Sequence, residues 1–317
     1  MSVYTPLNLE QVQTFAQPYG LHIVEIQPIQ GGMENTNYFL IAADGKQYVL
    51  TVFEELDLHA ASELFPVLQH LAQQQIPVAV PLVYADTPIH TLENKPAQIA
   101  PRLSGQHPMS PTTQQVQAMG TALAQLHLAL QHFPLQRHNQ HGQAWWDNTI
   151  HELKTEMTDA DILFIEQMFQ QLHQVQTQHP NRPKGLIHAD LFRDNSLYVG
   201  DELSGILDFS ELGHDAFLFD IAITMNDFCS DFPQVHLDMS KARAFLAAYH
   251  AIRPLTADER ACCNIYLALA ACRFWLARLQ VAKRNRLEGR TGKDILQKDP
   301  NEMRLMMIDR LTQESFY

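Results

Sequence analysis

Within residues 185–209, GLIHADLFRDNSLYVGDELSGILDF, three oxygen-bearing side chains stand at spacings suited to one chemistry: Asp190, Asn195 five positions later, and Asp208 beyond a short apolar hairpin. Phosphoryl transfer needs such a set. A divalent cation on a triphosphate takes hard oxygen ligands, while a separate carboxylate receives the proton of the attacking hydroxyl. His188, just before Asp190, can support the loop through hydrogen bonds. A lone His-x-Asp carries little information in a chain with 16 His, where a loop histidine beside a capping Asp is the ordinary explanation. The surroundings add the rest: an apolar strand over 196–199, a turn at Gly200-Asp201, and a second strand over 205–207 that ends in Asp208-Phe209.

The elements that must position this stretch can be read from periodicity. Leu9, Val12 and Phe15 predict a helix over 9–19, and strands are expected over 22–28, 38–42 and 47–53. Between the first two strands, Gly31 and Gly32 permit a tight turn whose N–H groups can approach phosphate oxygens; an ordinary hairpin turn uses the same pair. A helix over 64–75 carries Pro66 in its first turn. The apolar run over 97–103, with Pro101, Arg102 and Leu103, reads as the crossing into a second lobe. A nucleotide base there would bond the backbone and pack on apolar side chains such as Val49, although a plain strand-to-helix linker has the same composition.

Beyond it, Val116, Met119, Leu123, Leu126 and Leu130 predict a helix over 111–133, then a polar loop over 133–147 and renewed helical periodicity over 148–179. Further helices are expected over 217–228, 241–251 and 258–286, followed by a basic tail. Strands first and helices last make an α+β chain. A small β-rich N-terminal lobe (1–101) and a larger, mainly helical C-terminal lobe (102–317) would flank a cleft.

A formal charge of -13 argues against nonspecific binding to nucleic acid. The first residues, MSVYTPLNLEQV, show no basic leader or apolar run, and no uninterrupted apolar stretch of membrane-spanning length stands out, so a cytoplasmic protein without a membrane partner is expected. Cys229, Cys262, Cys263 and Cys272 form no C-x-x-C and read as buried free thiols of a reducing compartment. His132, His138, His141 and His151 lack the helical i, i+4 spacing of a zinc pair and read as a polar surface loop.

The run His188-Ala189-Asp190-Leu191-Phe192-Arg193-Asp194-Asn195 resembles the H-x-D-x-x-x-x-N catalytic loop of the kinase-like superfamily, and Asp208-Phe209-Ser210 resembles its metal-binding D-F-G. The resemblance implies a bilobal protein-kinase-like fold that uses ATP and Mg2+, with Asp190 as base, His188 as support, and Asn195 and Asp208 as metal ligands. Asp220 resembles the structural Asp that braces this loop. One position departs from the pattern: where the third strand of such enzymes carries a phosphate-binding lysine, Tyr48-Val49-Leu50-Thr51 places Thr51. Lys46, an odd number of positions away, should point to the other sheet face, and Glu63 is left without its usual ion-pair partner.

The whole chain resembles the kinase-like homoserine kinases of bacteria, through GGMENTNYFL, QYVLTVFE, PRLSG, GLIHADLFRDNSLY, GILDF, FDIAITMNDFC and CRFWLARL. That family also carries Thr at the lysine position. The resemblance implies ATP-dependent phosphorylation of the hydroxyl of L-homoserine. Homoserine bears both charges, so its pocket should contain both signs: Arg193, Asp227, Arg273 and Trp275 are the candidates, each of which also fits a salt bridge or core packing. Two alternatives stay open. One is another small-molecule kinase of the superfamily, acting on an aminoglycoside, methylthioribose or choline; the other is a nucleotide-binding regulator without activity.

Overall fold

In the computed structural model, which describes residues 5–29, 35–289 and 298–312, the chain divides into two units. Of the described residues, one holds those up to Gly105 together with Ser204–Ser210; the other holds Gln106–Leu203 and those from Glu211 onward.

The first unit runs α1 (Leu9–Ala16), β1 (Ile23–Pro28), β2 (Asn35–Ala42), β3 (Gln47–Phe53), α2 (Leu58–Ser62), α3 (Leu64–Gln73), β4 (His90–Leu92) and β5 (Lys95–Pro101). Its strands form one antiparallel sheet in the order β1-β2-β3-β5-β4. Side chains alternate across a strand, so Tyr38, Leu40, Leu50, Val52 and Ile99 share a buried face, on which α1 lays Val12 and Ala16. The helix expected over 9–19 stops at Ala16: Pro18 cannot continue it, and a 3-10 turn over Gln17–Tyr19 closes at left-handed Gly20. Three-residue β4 carries too little pattern to be foreseen.

The second unit runs α4 (Thr113–Leu130), α5 (Gln143–Leu153), α6 (Asp159–Gln178), β6 (Lys184–Ile187), β7 (Ser196–Val199), β8 (Glu202–Ile206), β9 (Gly213–Ala216), α7 (Phe217–Phe228), β10 (Ser230–Asp231), β11 (His236–Leu237), α8 (Met239–Ile252), α9 (Ala257–Leu287) and α10 (Pro300–Thr312). From Ser204 onward β8 belongs to the first unit, and the chain returns at Glu211. The expected loop over 133–147 already starts α5 at Gln143, and the long helical stretch after it breaks before Thr158, whose side chain caps α6. The segment read as a basic tail ends in α10, where Met303, Met306, Met307 and Arg310 make a buried stripe at helical spacing. Arg310 holds it there, donating from Nε to Asn226 Oδ1 and from its two terminal nitrogens to Val235 O and Ser230 Oγ.

α9 is apolar along much of its length, though Arg273 and Arg278 interrupt it. Its best window has a mean hydropathy of 1.3 and is long enough to cross a membrane, but 72% of that window is buried inside the protein, packed against α6, α7 and α10. A helix apolar all round is what the centre of a helical unit requires. The four cysteines are unpaired and buried, three of them on this helix.

Gly120 marks the close crossing of α4 and α8: a Cβ there would lie 2.6 Å from the Phe245 carbonyl oxygen. Alanine at a helix interior gains up to about 1 kcal/mol over glycine, whereas forcing a methyl into packed backbone costs about 1–3 kcal/mol. The overlap wins. Gly120→Ala should therefore lower stability by about 1–2 kcal/mol in urea unfolding; an unchanged or raised midpoint would show that the two helices part freely.

Candidate active site

β6 pairs antiparallel with β9, Ile187 opposite Gly213, so the strand leading into the Asp190 loop is tied to the strand leading into α7. The first residues of the loop turn sharply: Ala189 has φ +66°. Left-handed backbone costs a residue with a Cβ about 1–2 kcal/mol, and something must hold it. Asp220, fully buried in the first turn of α7, accepts the His188 N–H at 2.8 Å and the Ala189 N–H at 2.9 Å. The helix N-terminus favours its charge.

Behind Asp220 the donors all run one way. Arg253 donates to the Tyr249 oxygen (3.1 Å), Tyr249 O–H to His127 Nδ1 (2.6 Å), and His127 Nε2–H to Asp220 (3.0 Å), a tautomer assigned by this network. Glu259 balances Arg253 at 2.8 Å. Burial alone would raise the Asp220 carboxyl; the hydrogen bond from His127, the charges beside it and the His188 N–H outweigh that and hold it below the ordinary range. Burial pushes the His127 imidazole down from its ordinary value, against the pull of Asp220.

On the loop, Asp190 is half-buried. Its Oδ2 accepts from Asn195 Nδ2 at 2.8 Å, and the same amide nitrogen donates to the Asp190 carbonyl. Asn195 Oδ1 therefore points away from Asp190. His188 is fully buried and accepts the Asp190 N–H on Nδ1 at 3.3 Å, which makes it a positioning residue.

Arg193 and Asp227, expected as separate substrate contacts of opposite sign, hold each other instead. The Arg193 N–H, Nε and a terminal nitrogen reach the two Asp227 oxygens at 2.6–3.1 Å, and the other terminal nitrogen donates to Met109 O. A carboxylate 8% exposed needs such partners, so Asp227 anchors the loop. Arg273 and Trp275, expected as a pair, are two residues apart on α9 and so about 200° apart around it. Trp275 is 2% exposed and packs in the core.

Arg273 keeps different company. Its guanidinium lies 3.9 Å over the Phe274 ring, which meets Phe192 of the Asp190 loop edge-on at 4.5 Å. One terminal nitrogen sits 3.0 Å from Glu211 Oε2, and His141 Nδ1–H donates to the same oxygen at 2.9 Å. Burial would raise the Glu211 carboxyl, but the hydrogen bond from His141 and the charges of Arg273 and Arg137 bring it to about 2. Sequence reasoning passed over Glu211, although it directly follows Asp208-Phe209-Ser210, and assigned His141 to a polar loop.

In the first unit, Thr51 at the lysine position donates to Asn37 Oδ1 at 2.8 Å, directly across the β2–β3 ladder. Asn37 Nδ2 approaches Asn35 O (3.5 Å), Asn35 Nδ2 reaches Ser210 Oγ (3.4 Å), and the Ser210 hydroxyl and N–H bond Asp208 Oδ1. A run of neutral groups thus leads from the lysine position to Asp208, itself left-handed at φ +53°. Lys46 is exposed and paired with Asp44, and the half-buried Lys95 is paired with Glu54. Val49 shares the Thr51 face, opposite buried Leu50 and Val52. Pro101 and Arg102 are exposed and Leu103 is half-buried. The Arg102 N–H is taken by Gln47 O and its guanidinium lies over Phe39, so this residue has no free donor on its backbone for a base. Gly31 and Gly32 lie outside the described residues.

Among the described residues no three His, Cys, Asp or Glu side chains gather as a metal cage. Magnesium needs none: it keeps waters and takes one or two protein oxygens beside phosphates. Asn195 Oδ1 and Asp208 Oδ2, which make no hydrogen bond among the described residues, are donors of the right kind.

Residues 25–255 match the model of the phosphotransferase enzyme family. The chain is 40% identical to a homoserine kinase of Methylobacillus flagellatus over 285 residues, covering 88% of this chain and 87% of that protein. It is 38% identical to a homoserine kinase of Polaromonas naphthalenivorans over 283 residues, 88% and 89% of the two chains. Among solved structures, an amicoumacin kinase in complex with AMP-PNP and Ca2+ superposes with a TM-score of 0.70 at 17% identity, over 96% of this chain and 92% of that one. A microcompartment-associated aminopropanol kinase does so with 0.69 at 16%, over 95% and 94%. At such identities the likeness is one of fold, and that fold is kinase-like.

Asp220→Asn removes the charge and an acceptor from beneath Ala189. It should lower stability by about 1–3 kcal/mol, with kcat falling more than KM rises. The lowered carboxyl contributes fully above the ordinary carboxylate range, near pH 4, and loses that contribution as pH falls through its folded value. In urea unfolding the gap between wild type and variant should therefore narrow in acid; a gap independent of pH would mean that the charge is not what holds the loop.

Proposed function

This chain belongs to the phosphotransferase enzyme family, with homoserine kinases as its relatives, and from that premise we propose that it transfers the terminal phosphoryl group of ATP to the hydroxyl of L-homoserine. The product is O-phospho-L-homoserine, on the way to threonine; the partner is a small molecule and the place of action the cytoplasm. The observation that carries the chemistry is Asp190, a half-buried carboxylate oriented by Asn195 on a loop fixed from beneath by Asp220.

Asp190 receives the hydroxyl proton late in a loose transition state, through the oxygens that Asn195 keeps in one rotamer. Asn195 Oδ1 and Asp208 Oδ2 are the proposed metal ligands. Magnesium, when bound, neutralises charge on the phosphates. The backbone of Gly31 and Gly32 would meet the phosphates, and Val49, Pro101, Arg102 and Leu103 would border the base, Arg102 by its side-chain stem. Arg193 with Asp227, and His188, hold the loop in shape. The Thr51 hydroxyl gives its proton to Asn37 and supplies no charge at the lysine position.

An ADP-release screen across homoserine, choline, methylthioribose and aminoglycosides tests the acceptor, with homoserine expected to give the highest kcat/KM. Asp190→Asn should lower kcat by about 10²- to 10⁴-fold and leave ATP affinity, measured by calorimetry, nearly unchanged. Undiminished turnover in that variant would remove Asp190 from the chemistry.

A further inference from the structure

The cluster of Arg273, Glu211 and His141 holds more hydrogen-bonding capacity than its members use. Arg273 is only 3% exposed, and a guanidinium carries five N–H donors. Only one terminal nitrogen is engaged, by Glu211; Nε and the other terminal nitrogen have no hydrogen-bond partner among the described residues, and neither is sealed from solvent. Glu211 repeats the pattern, with Oε2 taking both donors and Oε1 left open. Arg310 shows what a purely structural arginine looks like in this protein: Nε and both terminal nitrogens are all occupied by protein acceptors.

The two open edges carry opposite charge, are held side by side by their own ion pair, and adjoin the catalytic loop through Phe274 and Phe192. We propose that this cluster is the subsite for the two charged groups of an α-amino acid acceptor: the open N–H groups of Arg273 take the carboxylate and Glu211 Oε1 takes the ammonium. His141, donating to Oε2, fixes the Glu211 carboxylate so that Oε1 faces the ligand. The inference rests on the kinase reading and deepens it. A fixed guanidinium suits a carboxylate because each open N–H makes a charge-assisted bond to it. A site so built rejects an analogue that lacks the group, since its own buried atoms are then left unpaired.

The test uses three alcohols: L-homoserine, 3-aminopropan-1-ol, which lacks the carboxylate, and 4-hydroxybutanoate, which lacks the ammonium. Wild type should favour homoserine over each by at least about 10²-fold in kcat/KM. In Arg273→Met the loss on homoserine should exceed the loss on 3-aminopropan-1-ol by at least about tenfold, and in Glu211→Gln it should exceed the loss on 4-hydroxybutanoate by a like factor. Melting curves accompany each variant; if Arg273→Met does not fold, Arg273→Lys, which keeps the charge and loses the fork, carries the same arm. Equal losses on all three alcohols would make the cluster a structural ion pair and overturn the subsite alone. A folded wild type that turns over no homoserine would overturn the homoserine reading, and the subsite with it.

Discussion

One carboxylate sealed from water sets the geometry of the Asp190 loop. Asp220 accepts two successive backbone N–H groups, and that pair of bonds makes left-handed Ala189 tolerable. Without an acceptor there, two amides would be buried unpaired and the turn would relax. The supporting frame follows from this need: β9 paired with β6 aims α7, α7 presents Asp220 in its first turn, and α4 and α8 supply His127 and Tyr249 behind it. A buried ion is stable only if its hydrogen bonds are complete. Here the donors are complete, and they run in a single direction from Arg253.

Charge is allotted with similar economy elsewhere. The chain carries a formal charge of -13, yet the proposed chemistry handles polyanionic phosphates, so what matters is where single cations stand. Arg193 is held by Asp227, Arg310 by Asn226, Val235, Ser230 and Asp309, and Lys95 by Glu54. Arg273 differs, half engaged and half open. At the lysine position of the third strand there is no cation, and a relay of amides and hydroxyls runs instead from Thr51 through Asn37 and Asn35 to Ser210 and Asp208. Neutral dipoles orient without the desolvation penalty of a buried ammonium.

The secondary structure was legible where one period persists. α7 lies over the expected residues 217–228, an apolar run buried on every side, and β3 over 47–53, where burial alternates from residue to residue. Legibility failed where local signals conflict or are short: at α5, which begins inside a polar loop; at β4, three residues long; and at α10, whose methionine stripe follows a basic run. For the site, neighbours along the chain were readable and distant partners were not. Asn195 can be matched to Asp190 from spacing alone. Arg273 is separated from Glu211 by 62 residues and from His141 by 132, and nothing local marks them as partners.

By itself the sequence determined the longer strands and helices and the spacing within the Asp190 loop, because periodicity and short-range spacing are properties of consecutive residues; the brace at Asp220 was implied by the resemblance to kinase-like enzymes. Which charges meet was decided only by the tertiary structure. Arg193 and Asp227 were both visible as charged groups near the loop, but whether they face a ligand or each other depends on how α7 packs beside that loop. Arg273 and Trp275 sat close in sequence and were separated by the turn of one helix, while Glu211 and His141 were brought to Arg273 by packing. Pairing energies fall off within a few ångströms, and those distances do not exist until the chain has folded.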